Sequence, residues 1–218
     1  MPPLKDPRLE DLQRASCKPH PINPKGFNPK AKLPHGLTTK QLEKAMGDFV
    51  NFLGFIDEQL HTKEIERLEA MLMPANFSSL VGEFMASSIP KYCPTLVKNL
   101  YHNGHPDLVP KGFYPRDSIL HGPKGIEIKA SHYSSGWQGH NPEDTWLMVF
   151  VFESSRPSDL INNIDPKRFS FVEVLGAQLT KKDWLFSGRS ETSRRTITAS
   201  VTKTGFAKMK KNWIYRNS

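Results

Sequence analysis

The spacing of apolar residues changes twice along the chain. Residues 1–36 show no hydrophobic period. Prolines recur there, most densely in KPHPINPKGFNPKAKLPHG. Proline fixes φ and removes a backbone donor, so this stretch predicts an extended arm lying on the body or on a partner. From Thr38 the period becomes helical. TTKQLEKAMGDFVNFLGFIDEQL places Leu42, Met46, Phe49, Val50, Leu53, Ile56 and Leu60 on one face, with Thr38 or Thr39 as a cap. TKEIERLEAMLM predicts a second helix stopped by Pro74. NFSSLVGEFMASSIPK predicts a third, starting near Ser78 or Ser79 and ending before Pro90.

After residue 90 the pattern turns to strand. GIEIKAS and TWLMVFVFE are strand-sized, and the polar loop HYSSGWQGHNPED between them predicts a hairpin-like pair with a long connection. SRPSDLINNI predicts a short helix. FSFVEVLGAQL predicts a third strand with Phe169, Phe171 and Val174 buried. RRTITASV predicts a fourth, and GFAKMKKNWIY a terminal element. Helices first, then strands with one intervening helix, describe an α/β protein: a mixed central β-sheet flanked by helices. The division is an arm over 1–36 and one domain over 37–218. That domain is helical over 37–90, with a core over 78–180 and a basic part over 181–218.

Length and composition agree with that division. The 218 residues suit one domain with an appendage, and 37% hydrophobic content is enough for a core. Cys17 and Cys93 are the two cysteines; they exclude a four-cysteine zinc site and a disulfide framework, and read as reduced in a cytoplasmic protein. No apolar run reaches membrane-spanning length, and MPPLKDPRLEDLQR lacks the apolar stretch of a secretory leader.

Charge is unevenly placed. Residues 1–40 carry 8 Lys and Arg against 3 acids, residues 41–180 carry 12 against 17, and residues 181–218 carry 10 against 2. A basic tail beside an acidic middle suits a polyanionic partner, although a basic surface can equally be merely solvated.

The candidate chemistry lies in GHPDLV and GIEIKAS. Residues two apart on a strand share a face, so Glu127 and Lys129 stand together while Ile126, Ile128 and Ala130 take the other side. Asp107 and Glu127 make an oxygen-rich pair suited to Mg²⁺, and a nearby ammonium can stabilise developing negative charge on a phosphate. The plainer readings are a surface ion pair for Glu127 and Lys129, and a turn for Pro106-Asp107.

Pro106-Asp107 followed by Glu127-Ile128-Lys129 resembles the signature of the PD-(D/E)XK nuclease superfamily, to which many type II restriction endonucleases belong. The resemblance covers roughly residues 78–180. It implies a restriction-endonuclease-like core, with the aspartate at the start of one strand and E-x-K on the next strand of a hairpin. It implies Asp107 and Glu127 as Mg²⁺ ligands and Lys129 as the catalytic lysine beside the attacking water. Glu83, on the helix upstream, matches the family's further acidic residue; otherwise it is an ordinary exposed glutamate.

Histidines offer rival chemistry. HNGH at 102–105 and GHN at 139–141 suggest a ββα-metal nuclease, but Pro106 and the following loop break its compact hairpin. A zinc site from His102, His105, His132 and His140 lacks tight ligand spacing. His105 reads instead as a support for the acids or a loop residue. No serine or cysteine sits in a nucleophile context.

Ser134, Ser135, Gln138, His140 and Asn141 follow the E-x-K strand and are residue types suited to base edges, while Trp137 reads first as packing. Lys181, Lys182, Arg189, Arg194, Arg195 and Lys203 are the candidates for phosphate or base contact. The expected function is Mg²⁺-dependent, site-specific cleavage of double-stranded DNA by a homodimer matched to a palindrome. The alternatives are a repair or recombination nuclease of the same superfamily and a non-catalytic DNA-binding protein.

Overall fold

In the computed structural model, residues 6–139, 141–159, 161–186 and 199–217 are described. The first element among the described residues is helix α1 (Pro7–Ser16), capped by the Asp6 side chain with Pro7 at its first position. Helix α2 (Thr39–His61) opens with a reciprocal cap between Thr38 and Gln41. A single turn, α3 (Leu68–Met71), precedes α4 (Pro74–Tyr92). Then follow β1 (Leu96–Lys98), β2 (Leu108–Pro110), β3 (Ile126–Ser131), β4 (Gln138–Gly139), β5 (Thr145–Glu153), β6 (Ser170–Leu179), β7 (Trp184–Phe186) and β8 (Ala199–Val201). Helix α5 (Lys203–Lys211) and β9 (Trp213–Arg216) end the chain.

The protein is α/β, with a mixed sheet in the order β1-β2-β3-β5-β6-β9 and a smaller sheet in the order β4-β8-β7. Strand β5 shows why a continuous apolar run was needed. Trp146, Met148, Phe150 and Phe152 enter the core under α2 and α4, while Leu147, Val149 and Val151 enter a second core with Leu175, Leu179, Trp184 and Met209. A strand buried on both faces has no polar side to show. Phe49 of α2 anchors the first core, its ring 5.2 Å from those of both Phe84 and Phe169. Burying such a side chain contributes about 2–3 kcal/mol.

The proline-rich stretch after α1 lies on the chain's own body. His20 N donates to Phe169 O, and Asn28 N to Ile214 O, at 2.8 and 2.9 Å; the Asn28 side chain bonds Trp213 O. Phe27 bridges Tyr215, so this stretch covers the β9 edge.

Several sequence expectations are corrected. The arm is not wholly extended, because Asp6 and Pro7 start α1. The helix expected over 62–73 shrinks to one turn, because Arg67 is drawn inward to Ser16 O, Lys167 O, Ser155 Oγ and Glu69. Asp57 then caps the turn by accepting from Leu68 N. Pro74 starts a helix instead of stopping one, since its missing N–H costs nothing at the first position. The same helix runs through Pro90 in its last turn. The short helix expected over 155–164 is absent: the described residues there form turns and irregular chain. Most consequentially, β3 and β5 are parallel rather than a hairpin. Only Ala199–Val201 of the expected fourth strand falls within described residues. Among the described residues no helix is long and apolar enough to cross a membrane.

Candidate active site

Strand β3 presents Ile126 and Ile128 to the core under α4. Glu127 and Lys129 take the opposite face, in register with Leu147 and Val149 of β5. Strand β2 runs antiparallel beside β3, pairing Leu108 with Ile126. That pairing carries Asp107 to β3, where its Oδ2 accepts from Ile128 N at 2.7 Å. The three residues read from sequence are therefore together.

Two residues make this approach possible. Gly125 has φ of +148°, and a Cβ there would fall 2.1 Å from Leu108 O and 2.3 Å from the Pro106 ring. Asn99 is buried and ties the preceding loop together. Its Nδ2 donates to Pro106 O and Ile119 O, and its own N donates to Asp107 O.

Glu127 is mostly buried between two cations. Lys129 Nζ lies 2.5 Å from its Oε1, and His105 Nδ1 lies 2.9 Å from its Oε2. The other ring nitrogen of His105 lies 2.7 Å from Glu143 Oε2. The histidine contacts are close but off the hydrogen-bond directions, so buried Glu127 Oε2 and His105 Nε2 lack an aligned partner.

These neighbours divide the two carboxylates. Burial raises both, and the charge of Glu127 raises Asp107 further, against Lys129 and the Ile128 amide. For Glu127, burial is outweighed by His105 and Lys129, which hold it below the ordinary range. Burial pulls His105 down, yet Glu127 and Glu143 push it up to about 9. Burial likewise pulls Lys129 down, but Glu127 and Asp107 leave it above its ordinary value. Glu127 is thus the more readily ionised of the two acids, flanked by cations.

A cleft of about 710 Å³ opens over these residues, with Tyr101, His121, Asn141, Thr145 and Trp184 among its lining. Glu83 also lines it, but comes from α4 on the other face of the sheet. Its carboxylate is two-thirds exposed and bonded to Lys98 Nζ at 2.7 Å. Among the described residues no group of three or more His, Cys, Asp or Glu side chains is arranged to hold a metal ion. Asp107 and Glu127 nevertheless fit Mg²⁺, which binds through one or two carboxylates and keeps waters and phosphate oxygens for its other positions. Glu127 Oε2, which His105 faces at 2.9 Å without an aligned hydrogen bond, agrees with that demand.

Of the expected DNA-contacting residues, Asn141 reaches the cleft. Ser134, Ser135 and Gln138 are exposed on the crossover between β3 and β5, and Lys181, Lys182 and Lys203 are exposed around β7 and α5. His140, Arg189, Arg194 and Arg195 lie outside the described residues. Trp137 packs in the second core, 5.5 Å from the Phe206 ring, and bonds Tyr133 O.

Sequence reasoning missed Glu143 and left His105 open between a support for the acids and a loop residue. The hairpin expectation hid Glu143, because it would place the start of β5 beside the end of β3. Parallel pairing sets Trp146 beside Ile126, which brings Glu143 back to Glu127. No family model, curated protein or solved structure matches the chain.

Proposed function

We propose that this protein is a Mg²⁺-dependent DNA phosphodiesterase with a restriction-endonuclease-like core, acting as a type II site-specific endonuclease. The observation that carries this reading is the seat of the Asp107 carboxylate on the Ile128 amide, between Glu127 and Lys129, in an open cleft. Asp107 and Glu127 would hold the ion, which supplies positive charge to phosphate oxygens and lowers the pKa of bound water.

Lys129 has a separate task. Its ammonium projects from the same face as Glu127 and can donate to the attacking water or to a phosphate oxygen, stabilising charge that grows during attack. Trp184, Tyr101 and Asn141 line the cleft walls that meet the substrate. Exposed Lys181, Lys182 and Lys203 offer phosphate contacts, with a slope against salt as their signature. A two-fold dimer would place two such clefts on opposite strands of a palindrome. The two free, buried cysteines suit a reducing cytoplasm.

Supercoiled plasmid incubated with the full chain and Mg²⁺ tests the reading. Discrete fragments are expected. Cutting only at junctions or mismatches would make it a repair nuclease, and gel retardation without cutting would overturn the enzymatic reading.

A further inference from the structure

We infer that His105 and Glu143 are positioning residues that jointly set the two carboxylates proposed to bind the cation; the inference rests on that reading of Asp107 and Glu127. His105 has one ring nitrogen 2.9 Å from Glu127 Oε2 and the other 2.7 Å from Glu143 Oε2. All three side chains are largely enclosed, so the ring has little room for another orientation. The backbone of His105 is clamped as well: its N donates to Leu120 O at 2.9 Å, and its O accepts from Gly122 N at 2.8 Å. Asp107 follows two residues later and is itself fixed on Ile128. A single residue thus grips Glu127 through its ring and Asp107 through the chain.

Glu143 is the outer anchor. It stands two residues before β5, and its backbone O accepts from Trp184 Nε1 at 2.9 Å. Lys129 holds one oxygen of Glu127 and His105 faces the other, which restrains rotation of that carboxylate. Removing Glu143 frees the imidazole to turn; removing the imidazole frees Glu127 Oε2. Groups that orient metal-binding carboxylates typically change cation affinity by about 10–100-fold when lost.

The test titrates the full chain with Mn²⁺ alone and reads binding by electron paramagnetic resonance, with thermal midpoints recorded for each variant. Glu143→Ala and His105→Ala are expected to weaken Mn²⁺ binding by about 10–100-fold. Glu143→Gln, which keeps a polar oxygen beside the ring, should restore most of the affinity, and added imidazole should recover part of it in His105→Ala. If His105→Ala does not fold, the two Glu143 variants decide the matter. Wild-type affinity in Glu143→Ala would overturn the positioning pair. Loss of Mn²⁺ binding in Asp107→Ala is the control; full binding there, or none by the wild type, would instead overturn the cation reading beneath it.

Discussion

The Asp107 carboxylate accepts a 2.7 Å hydrogen bond from the Ile128 amide, the one residue between Glu127 and Lys129. Strand alternation sends the Ile128 side chain into the core, leaving the amide to hold the aspartate where the two charged side chains project. A short β2 laid antiparallel on β3 brings the aspartate to this meeting.

That meeting predicts a separation of cleavage from binding. Lys129→Ala and Asp107→Ala should each reduce plasmid cleavage by about 1000-fold or more, with DNA retardation changed only slightly. Wild-type cutting by either variant would remove that residue from the proposed mechanism.

Gly125 should not tolerate a side chain. Alanine there meets both a left-handed backbone and the Leu108 carbonyl. Gly125→Ala is predicted to cost about 2–4 kcal/mol. Urea unfolding checks this, and a midpoint equal to wild type would mean that the β2–β3 junction yields to a side chain.

His132 predicts an acid-sensitive fold. Its ring lies 4.3 Å from that of Phe152, and burial, aided by Arg156, lowers its pKa to about 4. Between about pH 4 and 6.5 the unfolded chain binds a proton that the native chain refuses, so stability rises with pH and then levels. The span is worth about 1–3 kcal/mol after discounting for partial exposure. His132→Phe should flatten the urea midpoint across this window; an unchanged slope would assign the acid sensitivity elsewhere.

Asp57 predicts the opposite slope. Burial, then the neighbouring Glu69, raises it to about 8. Below that value the native state keeps a proton that the unfolded chain loses near pH 4, so stability falls as pH rises and the loss is complete above about 8. Asp57→Asn keeps an acceptor for Leu68 N without the proton. It should lose less stability than wild type between pH 5 and 9, and parallel denaturation profiles would refute this.

The primary structure by itself determined the elements whose signals are local. The apolar period of α2, the Thr38 cap, the β5 run and the shared face of Glu127 and Lys129 all follow from spacing, because helix and strand repeats are properties of a short segment. The pairing of Asp107 with that face was legible as a motif. What only tertiary structure decided depends on distant partners. Arg67 lost its expected helix to carbonyls from Ser16 and Lys167, residues that no local window contains. The direction of β5 relative to β3 was equally hidden, since a polar loop of this length can close a hairpin or carry the chain back for parallel pairing. That one choice brings Glu143 to His105 and completes the surroundings of Glu127, because strand direction decides which end of β5 lies beside the start of β3.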